Sequence, residues 1–231
     1  TTTITGTGAN VLGTSPTITT ATLASPNITT ALTLTGSAGT SGQVLTSAGS
    51  GVAPTWSTPS TQTMVLLGSA SASSSATIDF TGLPANTYNS YRLYVDCAVP
   101  VTNAVTLLLR VSSSGVFQTS GYYWQNFRWT TSGSGVIGSA SASGIALNAD
   151  GADNIANSAN NGGSFVIDFY NPSQSSDIHK CNIQGYYLGS TQLGITGNGF
   201  SGTNSIDGFR FLMSSGNIST GRFYLYGIRN S

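Results

Sequence analysis

Tyr91-Arg92-Leu93-Tyr94-Val95-Asp96-Cys97-Ala98-Val99 alternates with a period of two. Tyr91, Leu93, Val95, Cys97 and Val99 fall on one side, and Arg92, Tyr94, Asp96 and Ala98 on the other. Successive side chains of an extended strand point to opposite faces, so the run predicts a strand with one buried and one wet face. Both cysteines of the chain sit on such apolar phases, Cys97 with Leu93 and Val95, and Cys181 with Ile183. The expectation for both is a buried free thiol that packs as a small hydrophobe, with a bridge open only if their Cα atoms come close enough.

Outward from this stretch the same pattern recurs. Met64–Gly68, Ala76–Phe80, Ala104–Ser112, Gly121–Thr130, Ser164–Tyr170, Ile178–Tyr187, Ile206–Met213 and Arg222–Arg229 are strand-like runs separated by Gly, Asn, Asp, Ser and Pro. In the last two, Phe209, Phe211, Met213, Phe223 and Leu225 fall inward, leaving Arg210, Arg222 and Tyr224 outside. About nine to eleven antiparallel strands imply two packed sheets, a jelly-roll or lectin-like sandwich over residues 63–231. Residues 132–163 are rich in Ser, Gly, Ala and Asn and are expected to be long loops around one weak strand, Gly144–Asn148.

Composition agrees with an all-β chain. Only 6% of the 231 residues are charged, Glu is absent and Lys180 is the single lysine, so two strong helix formers are nearly missing while Thr, Val, Tyr and Phe are abundant. The formal net charge is zero with no basic run, which argues against nucleic acid as a partner. No apolar run approaches the length of a membrane span and none reads as a signal peptide. A start at Thr1 rather than Met fits a chain whose N-terminal part was removed or lies outside the sequence.

Residues 1–62 differ in kind. Ser15-Pro16-Thr17-Ile18-Thr19-Thr20-Ala21 returns as Ser25-Pro26-Asn27-Ile28-Thr29-Thr30-Ala31. Each unit offers one large apolar side chain, Ile18 or Ile28, with Leu23 between them, too little to form a core alone. Such a leader becomes ordered if identical chains bury these residues along a shared axis; otherwise it is a flexible tether. The expectation is an extended fibrous stalk of a homo-oligomer, with Ile18, Leu23, Ile28, Val44, Leu45 and Trp56 as contacts between chains. Gln43-Val44-Leu45-Thr46 and Pro54-Thr55-Trp56 predict a small hairpin turning through Ser47–Ala53.

The run Gly39-Thr40-Ser41-Gly42-Gln43-Val44-Leu45-Thr46-Ser47 through Pro54-Thr55-Trp56 resembles the G-x-x-G-Q-V-L-x-S…P-x-W element of bacteriophage tail fibres and related virion appendages. The Ser-Pro repeats are similar to the Thr/Pro-rich shafts of the same proteins. The resemblance covers residues 15–57 and implies a homotrimeric structural protein of the virion, assembled in the host cytoplasm and joined to other virion proteins on its N-terminal side. It does not reach the head.

Within the head, Tyr122-Tyr123-Trp124-Gln125-Asn126-Phe127-Arg128-Trp129 carries the most functional content. Both faces of this strand bear large aromatics, so one face lies outside the core. An exposed Trp or Tyr beside Asn, Gln or Arg stacks on a sugar's C–H face while its neighbours bond the hydroxyls. The same rings also serve as subunit anchors or pack under loops. Tyr122, Tyr123, Trp124, Asn126, Arg128 and Trp129 are therefore the candidate contacts for a host glycan or protein. The alternative is a capsid-surface or tail scaffold that packs on virion proteins and meets no receptor.

Polysaccharide cleavage is the third reading, and it lacks parts. His179, the only histidine, shares a phase with Cys181 and Ile183 and reads as a structural histidine. No Gly-x-Ser-x-Gly elbow presents a serine. Asp150 and Asp153 read as a turn rather than a carboxylate pair or a calcium loop. The chain is thus expected to be non-enzymatic, without metal or cofactor.

Overall fold

The computed structural model describes residues 32–34, 36–59, 63–84, 86–130, 133–148, 154–159, 161–189, 192–200, 202 and 204–229. The chain divides into two compact units, Thr1–Ser60 and Thr61–Ser231.

In the first unit, β1 (Val44–Thr46) pairs antiparallel with β2 (Thr55–Ser57), setting Leu45 opposite Trp56. The indole of Trp56 lies against Gly39, where a Cβ would come within 2.8 Å of Cδ2, and its Nε1 donates to the Ser37 carbonyl at 3.1 Å. Gln43 closes the preceding turn: its Oε1 accepts from Thr40 N at 2.8 Å and its own N–H donates to the Thr40 carbonyl. The glycines, the Gln and the Trp of the sequence element thus build one local fold. Val44 and Leu45 remain exposed on it.

The second unit is all-β and antiparallel. Its strands are β3 (Met64–Ser75), β4 (Ile78–Thr81), β5 (Ser90–Pro100), β6 (Leu107–Ser113) and β7 (Val116–Phe117). After them come β8 (Tyr122–Thr130), β9 (Gly133–Ala142), β10 (Ile145–Ala146), β11 (Gly163–Tyr170) and β12 (Lys180–Leu188). The chain ends with β13 (Gln192–Phe200), β14 (Gly208–Met213) and β15 (Ile218–Ile228). The larger sheet runs β3-β15-β5-β11-β12-β13-β8-β9. The smaller runs β10-β6-β14-β4, with β7 beside β6.

The alternating apolar phases meet between the sheets. Tyr91, Leu93 and Val95 of β5, Phe165, Ile167 and Phe169 of β11, and Phe223 and Leu225 of β15 face Leu107, Leu109 and Val111 of β6 and Phe209, Phe211 and Met213 of β14 in one core. Ring pairs cross it: Phe209 lies 5.5 Å from Tyr91 and 5.3 Å from Phe169, both edge-on, and Phe211 lies 5.0 Å from Phe223. Such tilted contacts add to the burial of the rings themselves.

Three expectations are corrected. Cys97 is exposed, with φ of 51°, while Ala98 is buried. A bulge there puts two residues of β5, Asp96 and Cys97, against Ser164 of β11 and re-phases the strand, so simple alternation fails at Cys97, the fourth apolar position. Cys181 is buried as expected, burial pushes its thiol up to about 12, and both cysteines are free. Residues 133–142, expected as loop, form β9, which pairs with β8 along its length. The third correction is β13, whose three glycines break the apolar alternation; it lies between β12 and β8 as a full ladder.

Candidate functional site

β8 settles which of its faces is inside. Tyr122, Trp124 and Asn126 point into the core and are buried. Val111 N donates to the Tyr122 hydroxyl oxygen at 2.9 Å, and burial pushes that phenol up to about 12. Asn126 Nδ2 donates to the Ala146 carbonyl at 2.9 Å. Tyr122 and Asn126 fasten β8 onto β6 and β10, and none of the three is available to a ligand at the sheet surface. The Tyr122 hydroxyl and Asn126 Nδ2 are spent in crossing between sheets, while Asn126 Oδ1 is buried without a partner among the described residues, which the sequence pattern alone does not reveal. Arg128 shares their phase and is half-buried.

The other face is open. Phe127 and Trp129 are each 45% exposed, with ring centroids 5.9 Å apart, and Tyr123 is exposed beside them. Register extends this face across the sheet. Gln125 stands opposite Asn198, Asn198 opposite Asn182, and Asn182 opposite Asp168. Two residues further along, Phe127, Thr196, Gln184 and Val166 form a second line, and Trp129, Gly194, Tyr186 and Ser164 a third. The first two lines, with Val136 of β9, border a trough of about 450 Å³. A second trough of about 640 Å³ lies over Met64, Tyr94, Tyr186, Tyr224 and Tyr226. Val166 and Gln184 border both.

Two ion pairs lie on this face, and the exposed Lys180 stands beyond them on the same phase of β12 as Asn182. Arg92 grips Asp168 with two bonds, Nε to Oδ1 at 2.6 Å and Nη2 to Oδ2 at 2.8 Å, and this contact raises the Arg92 pKa further. Arg222 meets Asp96 at 2.8 Å. On the outer face of the smaller sheet, Arg210 holds Asp79 bidentately and caps the Phe117 ring. Asp207 accepts from Gly115 N at 2.7 Å and from the Ser112 hydroxyl, pinning the turn after β6. Among the described residues no cluster of His, Cys and Asp could hold a metal ion.

Of the remaining candidates, His179 is buried, its Nε2 donating to the Asn204 carbonyl at 2.8 Å and its ring tilted near Phe169, as a structural histidine would be. Asp150, Asp153, Ile18, Leu23 and Ile28 lie outside the described residues. The sequence reading named Tyr123, Trp129, Trp124, Tyr122, Asn126 and Arg128 but omitted Phe127, Gln125 and the amides of β12 and β13. Phe127 and Gln125 were legible from the phase of Trp129, and Asn182 and Gln184 from the phase opposite Cys181 and Ile183; Asn198 was not, because β13 carried no strand signal.

Comparison with known proteins gives no match: no family model, no curated protein and no solved structure matches the chain.

Proposed function

We propose that the chain is a structural fibre protein of a bacteriophage particle. Residues 1–62 associate with two identical chains, and the head attaches to a glycan of the host surface. The head is read as a jelly roll. Taking β3, β4, β5, β6, β10, β11, β14 and β15 as strands one to eight, neighbours run one-eight-three-six in one sheet and five-four-seven-two in the other. The hairpins β8–β9 and β12–β13 are then insertions that widen the first sheet.

The observation that carries the adhesive reading is the uncovered face of that widened sheet, where Phe127, Trp129 and Tyr186 stand among Gln125, Gln184, Thr196 and Asn198. Rings with adjacent amides match a sugar's two kinds of surface, and both troughs fall in the volume range of small-ligand sites. The test is adsorption of particles carrying F127A and W129A to host cells. Adhesion through this face requires a loss of adsorption with assembly intact.

A scaffold role is favoured by one feature, the more apolar trough around Met64, Tyr94, Tyr224 and Tyr226, which suits a protein neighbour. Unchanged adsorption of the same variants would select it. The reading is non-enzymatic. Asp79, Asp96 and Asp168 are held by arginines and Asp207 by a turn, which leaves these carboxylates committed to structure. Release of reducing ends from host polysaccharide would overturn that part.

A further inference from the structure

Resting on the adhesive reading, we infer that the two troughs form one cleft for an internal stretch of an extended, uncharged polysaccharide lying across the strands. The register supplies the geometry. Asp168, Asn182, Asn198 and Gln125 stand side by side on β11, β12, β13 and β8, one per strand. Adjacent strands are ~4.8 Å apart, so this line spans roughly 14 Å and offers one polar group about every pyranose length. A chain of sugars meets a repeating partner in that direction. Along the strands it meets lines of different chemistry instead.

The groups on the line also define the ligand. Asn and Gln side chains both donate and accept, as a sugar hydroxyl does, so each amide satisfies a hydroxyl in either orientation. Asp168, the one charged group on the line, is held by Arg92 through two bonds. Within the lining of the two troughs the charged groups are Asp168 and Asp96, each held by an arginine, and Lys180 borders a separate pocket. An ionic sugar seated there would lose its hydration without meeting an unpaired counter-charge. Phe127 and Trp129, at one edge of the same face, supply ring surfaces for the C–H side of a sugar.

Continuity distinguishes an internal segment from a chain end. A site for a terminal sugar closes around it. Here Val166 and Gln184 belong to both troughs, and the second continues over Tyr94 on β5 and Tyr224 and Tyr226 on β15, where Tyr94 and Tyr226 meet edge-on at 5.6 Å. A bound chain therefore passes from the amide line onto a tyrosine floor.

The experiment uses the full chain and a panel of bacterial surface polysaccharides, neutral and acidic, each as intact polymer and as oligomers from one sugar upward. Affinity should climb with oligomer length over about six units, one per strand from β8 to β15 at the ~4.8 Å strand spacing. It should also be insensitive to added salt, since no ion pair is formed. Asn198→Ala and Gln184→Ala, both at exposed positions, should each weaken neutral-polymer binding roughly tenfold, the scale of a lost hydrogen bond, with unchanged melting. Binding confined to acidic polymers, or single sugars binding as tightly as polymers, overturns this inference and leaves adhesion standing. Failure to bind any member of the panel overturns both.

Discussion

Two tryptophans separated by five positions test how a single side chain's phase decides its role. Trp124 is 5% exposed and Trp129 is 45% exposed on the same strand. Trp124→Ala should destabilise the head by about 3–5 kcal/mol in denaturant titrations, because it leaves a cavity between sheets. Trp129→Ala should shift stability by less than about 0.5 kcal/mol while weakening ligand contact. Equal losses from the two would mean that the outer face is covered. Buried hydroxyl and thiol groups give a second check at this scale. Tyr91 and Tyr122 are pushed from 10.0 up to about 12, and Cys181 from 9.0 up to about 12, each chiefly by burial. A folded-state pKa above the unfolded one contributes stability that is whole below the unfolded value and is lost as pH rises through the folded value. The melting temperature should therefore hold up to about pH 9 and fall steadily from there toward 12, less steeply in Tyr122→Phe. A flat profile across that window would show that these groups are not buried in the folded head. Tyr122 also shows where sequence reading stops: its alternation was legible, but whether a Tyr on that phase faces a ligand or bonds Val111 depends on which strand lies beneath it.

Elements were legible where bulk and alternation coincided. β5, β14 and β15 announce themselves through Leu93, Phe211 and Phe223 on one phase. β13 and β9 do not, because their task is to make room. A Cβ at Gly197 would strike Asn126 Oδ1, one at Gly194 would strike the Trp129 indole, and one at Gly199 would come within 2.7 Å of Ile145. Small residues here complement large ones on β8 and β10, so a low-propensity sequence becomes a strand by pairing on both sides. Gly197→Ala should accordingly cost about 1–3 kcal/mol through overpacking. Gly133→Ala, with nothing within 4 Å of its added carbon, should be close to neutral. Thermal melts of the two variants compare them directly; a neutral Gly197→Ala would mean that Asn126 does not occupy the space over β13. The bulge at Cys97 was hidden for a related reason, since an inserted residue leaves no mark in composition, only a break in phase that Ala98 and Val99, both apolar, conceal.

At the scale of the whole molecule the two units pose different problems. The head has its own core and needs no partner to bury it. The leader offers Ile18, Leu23 and Ile28 over more than ten residues of Thr, Ser and Pro, and the hairpin after it leaves Val44 and Leu45 about half exposed. In the proposed fibre, three copies that share an axis would bury these side chains against one another. The intact protein should therefore have three times the mass of the chain in solution, and removal of residues 1–62 should release a monomeric head with an unchanged melting transition. Val44→Asp together with Leu45→Asp should weaken association without touching the head. Adhesion should respond out of proportion to these changes. If, as proposed, three heads share one stalk and each trough takes a glycan weakly, later contacts become intramolecular ones, a gain of roughly 10²- to 10⁴-fold. The freed head should thus retain its affinity for a soluble oligosaccharide and lose most of its retention on a polysaccharide-coated surface. A monomeric mass for the intact chain, or equal surface retention by head and intact protein, would remove the fibre from the reading and leave only a glycan-binding sandwich.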